Sequence, residues 1–125
     1  MAYGQPVSES GLSITGALTT SSSAVRPFHN RYRILGALSA VVTAVATAAM
    51  VVDVKIARAA DPTTFTTIFA AGDTKPSIAD LGTAGTSTPP TSITDIQPGD
   101  LVKIVLTGSF SAATDLTVTL LLDPL

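Results

Sequence analysis

The stretch ILGALSAVVTAVATAAMVV, residues 34–52, decides how the fold of this 125-residue chain is predicted. Its nineteen residues carry no charge. As an α-helix with a rise of about 1.5 Å per residue, the stretch would reach roughly 28 Å, close to the thickness of the hydrocarbon core of a bilayer. The apolar core of a secretory signal is shorter, at about 7 to 15 residues. The length therefore favours a membrane-spanning helix.

Small residues recur at every fourth position of this stretch, at Gly36, Ala40, Ala44 and Ala48. On a helix they would lie on one face, and such a face lets a second helix approach closely in lipid. We therefore expect these four residues to pack against a partner helix. An alanine-rich composition also produces this spacing by chance, and a buried helix in an assembly without lipid is a further alternative.

The flanks of the stretch carry the charges that orient a membrane segment. Arg26, Arg31 and Arg33 precede it, which predicts a cytoplasmic N-terminal side by the positive-inside rule. After it, Ala57 to Ala59 has the A-x-A form of a signal-peptidase site. Two readings follow: the helix is retained and leaves the membrane here, which we favour, or the chain is cut after Ala59.

Composition limits the classes of protein that fit. The chain is 46% hydrophobic but only 5% aromatic and 13% charged, and it has no cysteine, so neither disulfides nor thiolate metal sites are available. Residues 1–59 hold five basic and two acidic residues, a net +3, whereas residues 60–125 hold two lysines and seven aspartates, a net −5. This sparse basic charge argues against nucleic-acid binding.

Beyond residue 60 the sequence reads as β-structure. Residues 115–122 alternate leucine and valine with mostly threonine, the pattern of a half-buried strand. Pro98 and Gly99 suit the second and third positions of a type II turn ahead of a strand from Leu101. The predicted strands cover residues 63–70, 92–96, 101–107 and 115–122.

These elements predict an α+β protein with segregated parts: one N-terminal transmembrane-type helix followed by a small antiparallel β-sheet or sandwich domain. Residues 1–33 are expected to form a Ser/Thr/Gly-rich tail with a basic flank, residues 34–59 the apolar helix and its exit, and residues 60–125 an extracytoplasmic β-domain. A β-domain of this size has a thin core and needs neighbours.

No constellation for catalysis is recognisable in the sequence, so we expect a protein that is not an enzyme and holds no cofactor. The single histidine, His29, is interpreted as an interfacial or solvated residue. The aspartates of the second half stand singly next to turn formers, which favours backbone capping over a calcium site. They are Asp61, Asp73, Asp80, Asp95, Asp100, Asp115 and Asp123.

The order FAAG (residues 69–72), SITDIQPGD (92–100) and LVKIVLTGSFSAATDLTVTLLL (101–122) resembles the TasA/camelysin family of exported β-sandwich proteins. This resemblance implies a jelly-roll-like subunit that forms filaments by donating its leading strand to the next copy. By position DPTTFTTIF (residues 61–69) would be the donor, with Phe65 and Phe69 as its contacts. The aromatic-rich start usual in the family is missing.

The leading hypothesis is a non-enzymatic, single-pass structural subunit of a larger membrane complex or membrane-containing particle. Its N-terminus would be cytoplasmic and its β-domain periplasmic or extracellular. Its partners would be other protein subunits, contacted through membrane helices and outer domains, and lipid. The alternative is a secreted TasA/camelysin-like filament or matrix subunit that begins after Ala59, for which self-assembly is expected.

Overall fold

The computed structural model describes residues 7–44 and 47–125, with the backbone alone for residues 7–11 and 44. The described residues form ten β-strands and no helix. The strands are β1 (Val7–Ala17), β2 (Ser23–Pro27), β3 (Tyr32–Ala44), β4 (Met50–Ala57), β5 (Thr66–Thr67), β6 (Ser77–Ile78), β7 (Ala84–Thr86), β8 (Asp95–Ile96), β9 (Leu101–Gly108) and β10 (Thr114–Pro124).

The strands make two antiparallel five-stranded sheets. Sheet A has the order β1-β10-β3-β7, with β8 also paired to β3, and sheet B has the order β2-β9-β4-β5, with β6 also paired to β4. Strands β1 to β4 alternate between the two sheets. The edge of sheet A opposite β1 consists of the short strands β7 and β8, and the edge of sheet B opposite β2 consists of β5 and β6. This is the connectivity of a jelly-roll sandwich, in which four strand positions face four others.

The core lies between the inner faces of the two sheets, and its residues follow a period of two along each long strand. Sheet A contributes Leu38, Ala40, Val42, Leu116, Val118, Leu120 and Leu122, all buried. Sheet B contributes Val52, Val54, Ile56, Val102, Ile104 and Leu106, also buried. Because these strands come from both halves of the chain, neither half has a complete core of its own.

The predicted turn before β9 is confirmed. The Asp100 N–H donates to the Gln97 carbonyl at 3.0 Å, and Gly99 has φ +87°, which the third position of a type II turn requires. The two long predicted strands are also present, as β9 and β10. The predicted strands at 63–70 and 92–96 shrink to the two-residue β5 and β8, because the chain around them turns into loops that cover the core.

The predicted helix is wrong, and with it the α+β fold class. Residues 34–44 belong to β3 and residues 50–52 begin β4, so the described chain is all-β. Leu38, Ala40 and Val42 point into the core, whereas Val41 and Thr43 are exposed. This is the alternation of a strand, satisfied by backbone pairing with β10.

In the described ranges, no helix is long and apolar enough to cross a membrane. The single-pass anchor at residues 34–52 is therefore wrong, and so is the localisation that depended on it. In its described parts, the charge-free stretch instead places Ile34, Leu38, Ala40, Val42, Met50 and Val52 in the core, where they pack inside the sandwich and not against lipid.

The four residues expected to form a helix-packing face do not share one. Gly36 has φ +63° and lies in a bulge, where residues 36–38 of β3 face the single residue Leu120 of β10. Ala40 is buried in the core, Ala44 ends β3 opposite Thr114, and Ala48 lies beyond β3 with φ +68°. Their regular spacing therefore has no role in helix association.

The division of the chain near residue 59 does not separate two structural bodies. Residues 7–17 and 23–27, expected in a tail, form β1 and β2, while residues 1–6 lie outside the described residues. In sheet B, β9 lies between β2 and β4, so it pairs with strands from the first half on both sides. A cut after Ala59 would remove β1 to β4.

We expect the fragment of residues 60–125 to be unable to fold alone, because β9 and β10 would lose the strands that pair along both of their edges. Its far-UV circular dichroism should be that of an unfolded chain, and its urea titration should show no cooperative transition. The full chain is the control. A cooperative transition of the fragment would contradict the shared core.

Leu120 and Leu121 offer a matched pair for testing the direction in which β10 faces. Leu120 is fully buried, whereas Leu121 is 37% exposed on the opposite side. Leu120→Ala should lower the free energy of unfolding by about 2–5 kcal/mol, since it leaves a cavity in the core. Leu121→Ala should lower it by less than about 1 kcal/mol. Urea denaturation measures both losses. A loss of stability in Leu121→Ala as large as that in Leu120→Ala would contradict this orientation of β10.

Candidate assembly surface

The outer face of sheet A is built from rows of side chains that lie opposite one another on adjacent strands. One row crosses four strands, from Ser13 through Thr117 and Val41 to Ala84. The next rows join Thr119, Ser39 and Thr86, and then Leu121 and Leu35. These nine residues, called the A-face below, include no charged side chain.

The composition of the A-face follows from the strand pattern. β10 places leucine and valine on the inner side and threonine on the outer side, so the pleat itself sorts the residues. Val41 is 47% exposed and Leu121 is 37% exposed, which leaves aliphatic surface open to solvent among hydroxyl groups. An open surface without charge is the composition expected at the core of a protein–protein contact.

Charges border the A-face at one end. Arg33 on β3 lies opposite Asp123 on β10 and opposite Asp95 on β8. At the other end, the Thr43 hydroxyl donates to the Asp115 carboxylate at 3.1 Å. The uncharged rows are therefore enclosed by polar groups, the usual order of an interface core and its rim.

The outer face of sheet B is different, because lysines lie within it. Lys55 on β4 lies directly opposite Lys103 on β9, a like-charge pairing that destabilises a sheet. The Phe65 ring lies 5.1 Å from the Lys103 ammonium and stabilises it through a cation–π contact. This face is therefore less suited to dry contact with another protein surface.

A buried carboxylate lies beside these lysines. Asp53 accepts a hydrogen bond of 2.6 Å from the Thr67 hydroxyl and lies 3.4 Å from the Lys75 ammonium. The segment between β5 and β6 covers it, and an open cavity of about 590 Å³ lies against this segment. Both polar partners of Asp53 come from its own chain, so the group is satisfied without a ligand.

Arg58 closes one end of the sandwich through two aspartates. Its guanidinium donates to the Asp95 carboxylate at 2.9 Å and to the Asp100 carboxylate at 2.5 Å. Asp100 is only 1% exposed. The hydrogen bond from the Gln97 side chain lowers the pKa of Asp95, and the hydrogen bond and positive charge of Arg58 lower it further. Partial burial of the carboxyl opposes this shift. The second aspartate also accepts the Gln97 N–H at 2.8 Å, so one buried carboxylate supports both the turn and the arginine.

The arginines predicted to flank a membrane lie instead around one end of the sandwich. The guanidinium of Arg26 lies 4.9 Å from the centre of the Phe28 ring. Arg31 and Arg33 are exposed, the first in the connection between β2 and β3 and the second near the start of β3. Nothing in this arrangement requires a lipid surface.

The two phenylalanines expected in a donor strand occupy different places. Phe65 is half-buried beneath Lys103, whereas Phe69 is buried in the core of its own chain. Phe69 is thus already used within the subunit. Strand donation between copies stays a prediction, as does the TasA/camelysin resemblance on which it depends.

The interpretation of aspartates as backbone caps is confirmed at four positions. Asp73 accepts the Ala70 and Thr91 N–H groups, and Asp80 accepts that of Ala48. Asp100 and Asp115 accept the N–H groups of Gln97 and Gly16. Within residues 7–44 and 47–125, no three His, Cys, Asp or Glu side chains come together in a way that could hold a metal ion.

Sequence reasoning did not identify the A-face, although it identified one of its strands. The outward threonines of β10 were visible in the alternation of residues 115–122. The outward residues of β3 were hidden, because this segment was interpreted as a helix. A search for period two in residues 38–43 would have found the outward Ser39, Val41 and Thr43.

Comparison with known proteins supports the fold alone. No family model matches the chain, and no curated protein matches its sequence. A chain of the Cyanophage Pam1 capsid asymmetric unit aligns with a TM-score of 0.52 and 16% identity, covering 98% of this chain and 87% of that one. A chain of the Aeromonas sobria serine protease and chaperone complex aligns with a TM-score of 0.46 and 8% identity, covering 100% of this chain and 28% of that one.

Acid should destabilise the fold in part through Asp73. The Ala70 N–H, together with Thr91, lowers the pKa of Asp73 below its ordinary value. A lowered pKa in the folded state gives stability that is present above the unfolded pKa of about 3.9 and is lost as the pH falls through the folded value.

We therefore expect the wild-type free energy of unfolding to fall between about pH 5 and pH 2, and to fall less in Asp73→Asn. The two proteins should differ most near neutral pH and converge in acid, where the wild-type carboxyl is also neutral. Urea denaturation at several pH values measures this. Parallel curves for the two proteins would contradict the assignment.

Proposed function

We propose that this chain is a non-enzymatic structural subunit that packs against other protein subunits in a capsid-like shell. The observation that carries the proposal is the A-face, an uncharged surface across four strands of an otherwise polar sandwich. The alignment with a chain of a phage capsid, over 98% of this chain, supports it as a likeness of fold.

The A-face can supply a contact because of what it lacks. Bringing charged groups out of water is costly unless each finds a partner. Aliphatic groups gain free energy on leaving water, and a hydroxyl costs less than a charge when it finds a hydrogen-bond partner across the contact. Val41 and Leu121 would lose their exposed apolar surface on contact. Serine and threonine hydroxyls can donate and accept across the same contact, so the surface tolerates a neighbour of the same composition.

Contact through the face fits this fold better than contact through a strand edge. The edge strand β1 has two irregularities in its pairing with β10, one between Glu9 and Leu12 and one between Ile14 and Ala17. Bulges of this kind twist an edge and discourage a further strand from pairing with it. On the other edge of sheet A, β7 and β8 are only short pieces.

Each such contact would be small, and a shell is a suitable setting for small contacts. A stable pair of proteins usually buries about 800 Å² on each partner, more than a few rows of small side chains provide. When every subunit makes several contacts, their free energies combine through the closed assembly. Assembly should therefore depend steeply on concentration and be sensitive to one charge placed on the A-face.

Val41 and Val25 form a matched pair for testing this. Val41 is 47% exposed on the A-face, and Val25 is 49% exposed on β2 of sheet B. Val41→Lys, alone or with Leu121→Lys, should weaken self-association at least about tenfold, since it places charge in a contact that excludes water. Val25→Glu, whose charge would lie opposite Lys103, should change it less than about twofold. Sedimentation velocity over a concentration series measures the association.

Thermal unfolding of each variant is the control, because all three positions face solvent and the substitutions should leave the melting temperature nearly unchanged. Equal association of the Val41 and Val25 variants would show that the A-face makes no contact. A wild-type chain that stays monomeric at millimolar concentration would contradict the proposed function itself.

A further inference from the structure

Leu81 is the most exposed large hydrophobic residue of the described chain, at 68%, and its backbone is strained. It lies in a turn closed by the Gly82 N–H donating to the Ala79 carbonyl at 2.8 Å, and it has φ +61°. This conformation favours glycine or asparagine, and it is costly for a branched side chain. The fold therefore holds an apolar side chain in solvent at a position where glycine would suit the backbone better.

The turn is anchored to the rest of the protein. The carboxylate of Asp80 accepts the Ala48 N–H at 2.8 Å, which ties the turn to the connection that follows β3. The side chain of Leu81 consequently projects from a fixed point, with a negative charge beside it. Strained residues held in place by surrounding contacts are often found where a protein binds something.

The opposite end of the sandwich carries a cleft of about 360 Å³. Tyr32, Pro98, Pro124 and Leu125 give it apolar walls, Arg31 brings a guanidinium to it, and His29 and Asn30 also line it. The Val42 N–H donates to the Thr83 carbonyl, so the turn of Leu81 lies near the end of β3. Tyr32 lies at the start of β3, about ten residues or roughly 30 Å away at about 3.3 Å per residue. One copy therefore cannot place its own Leu81 in its own cleft.

We propose that Leu81 of one copy inserts into the cleft of a second copy, with Asp80 facing Arg31. The occupant is a second copy because the two ends are complementary: an apolar side chain beside an acidic group, and an apolar cleft beside a basic group. The surfaces involved differ, so the contact is heterologous and joins subunits end to end. This inference deepens the proposed function by adding an end contact to the lateral contact of the A-face.

If Leu81 forms the end contact, its replacement should weaken association without destabilising the fold, which a purely structural role for Leu81 does not predict. Leu81→Gly should leave the protein at least as stable to heat, since glycine adopts the positive φ without strain. The same variant should weaken end-to-end association by roughly tenfold, as expected when an interface loses its anchor. Arg31→Glu should weaken association similarly, and Lys55→Glu, an equal change of charge on sheet B, should not.

Cysteine crosslinking tests the contact itself, and the chain has no cysteine of its own to interfere. Full-length Leu81→Cys and Asn30→Cys proteins, mixed under mild oxidation, should form a disulfide between positions 81 and 30, identified by peptide mass. Leu81→Cys mixed with Val25→Cys is the control pair. A yield no higher than that of the control pair overturns the proposal.

The outcomes separate the two contacts. Loss of assembly in Val41→Lys without the crosslink between positions 81 and 30 would refute the end contact and leave the lateral one. The crosslink together with unchanged assembly in Val41→Lys would support the end contact and refute the lateral one. Leu81→Gly with a lowered melting temperature and unchanged association would show that Leu81 serves its own fold only, against the proposal.

Discussion

The structure depends on the packing of one apolar sheet face against another. Leu116, Val118, Leu120 and Leu122 of β10 face a sheet whose inner residues come from β4 and β9. With 5% aromatic residues, the core is filled mainly by aliphatic side chains, which pack well on pleated surfaces. Because β10 lies between β1 and β3, the last long strand completes a sheet begun by the first one.

This constraint also decides what the outside of the molecule is like. Once every second residue of β3 and β10 is committed to the core, the remaining residues form a continuous outer surface. In sheet A the part of that surface called the A-face is uncharged, and in sheet B the surface carries Lys55 opposite Lys103. The A-face is therefore suited to contact with another protein, whereas the outer face of sheet B is suited to water or to charged partners.

The error over residues 34–52 has a definite physical cause. A spacing of four residues returns to the same face of a helix, and it also returns to the same side of a strand, because four is a multiple of two. Gly36, Ala40 and Ala44 therefore satisfied a helical pattern that did not exclude a strand. Alanine and threonine tolerate both structures, and the absence of charge suits a buried strand as well as a membrane.

Local chemistry determined the features that the sequence revealed by itself: the turn at Pro98 and Gly99, the strands β9 and β10, and the capping by single aspartates. Each depends on residues close together in the chain. Only the tertiary structure decided that residues 34–44 and 50–52 form strands, which residues make up the A-face, and where Leu81 lies. The reason is that β3 pairs with β10, seventy or more residues away, and no local pattern specifies such a partner.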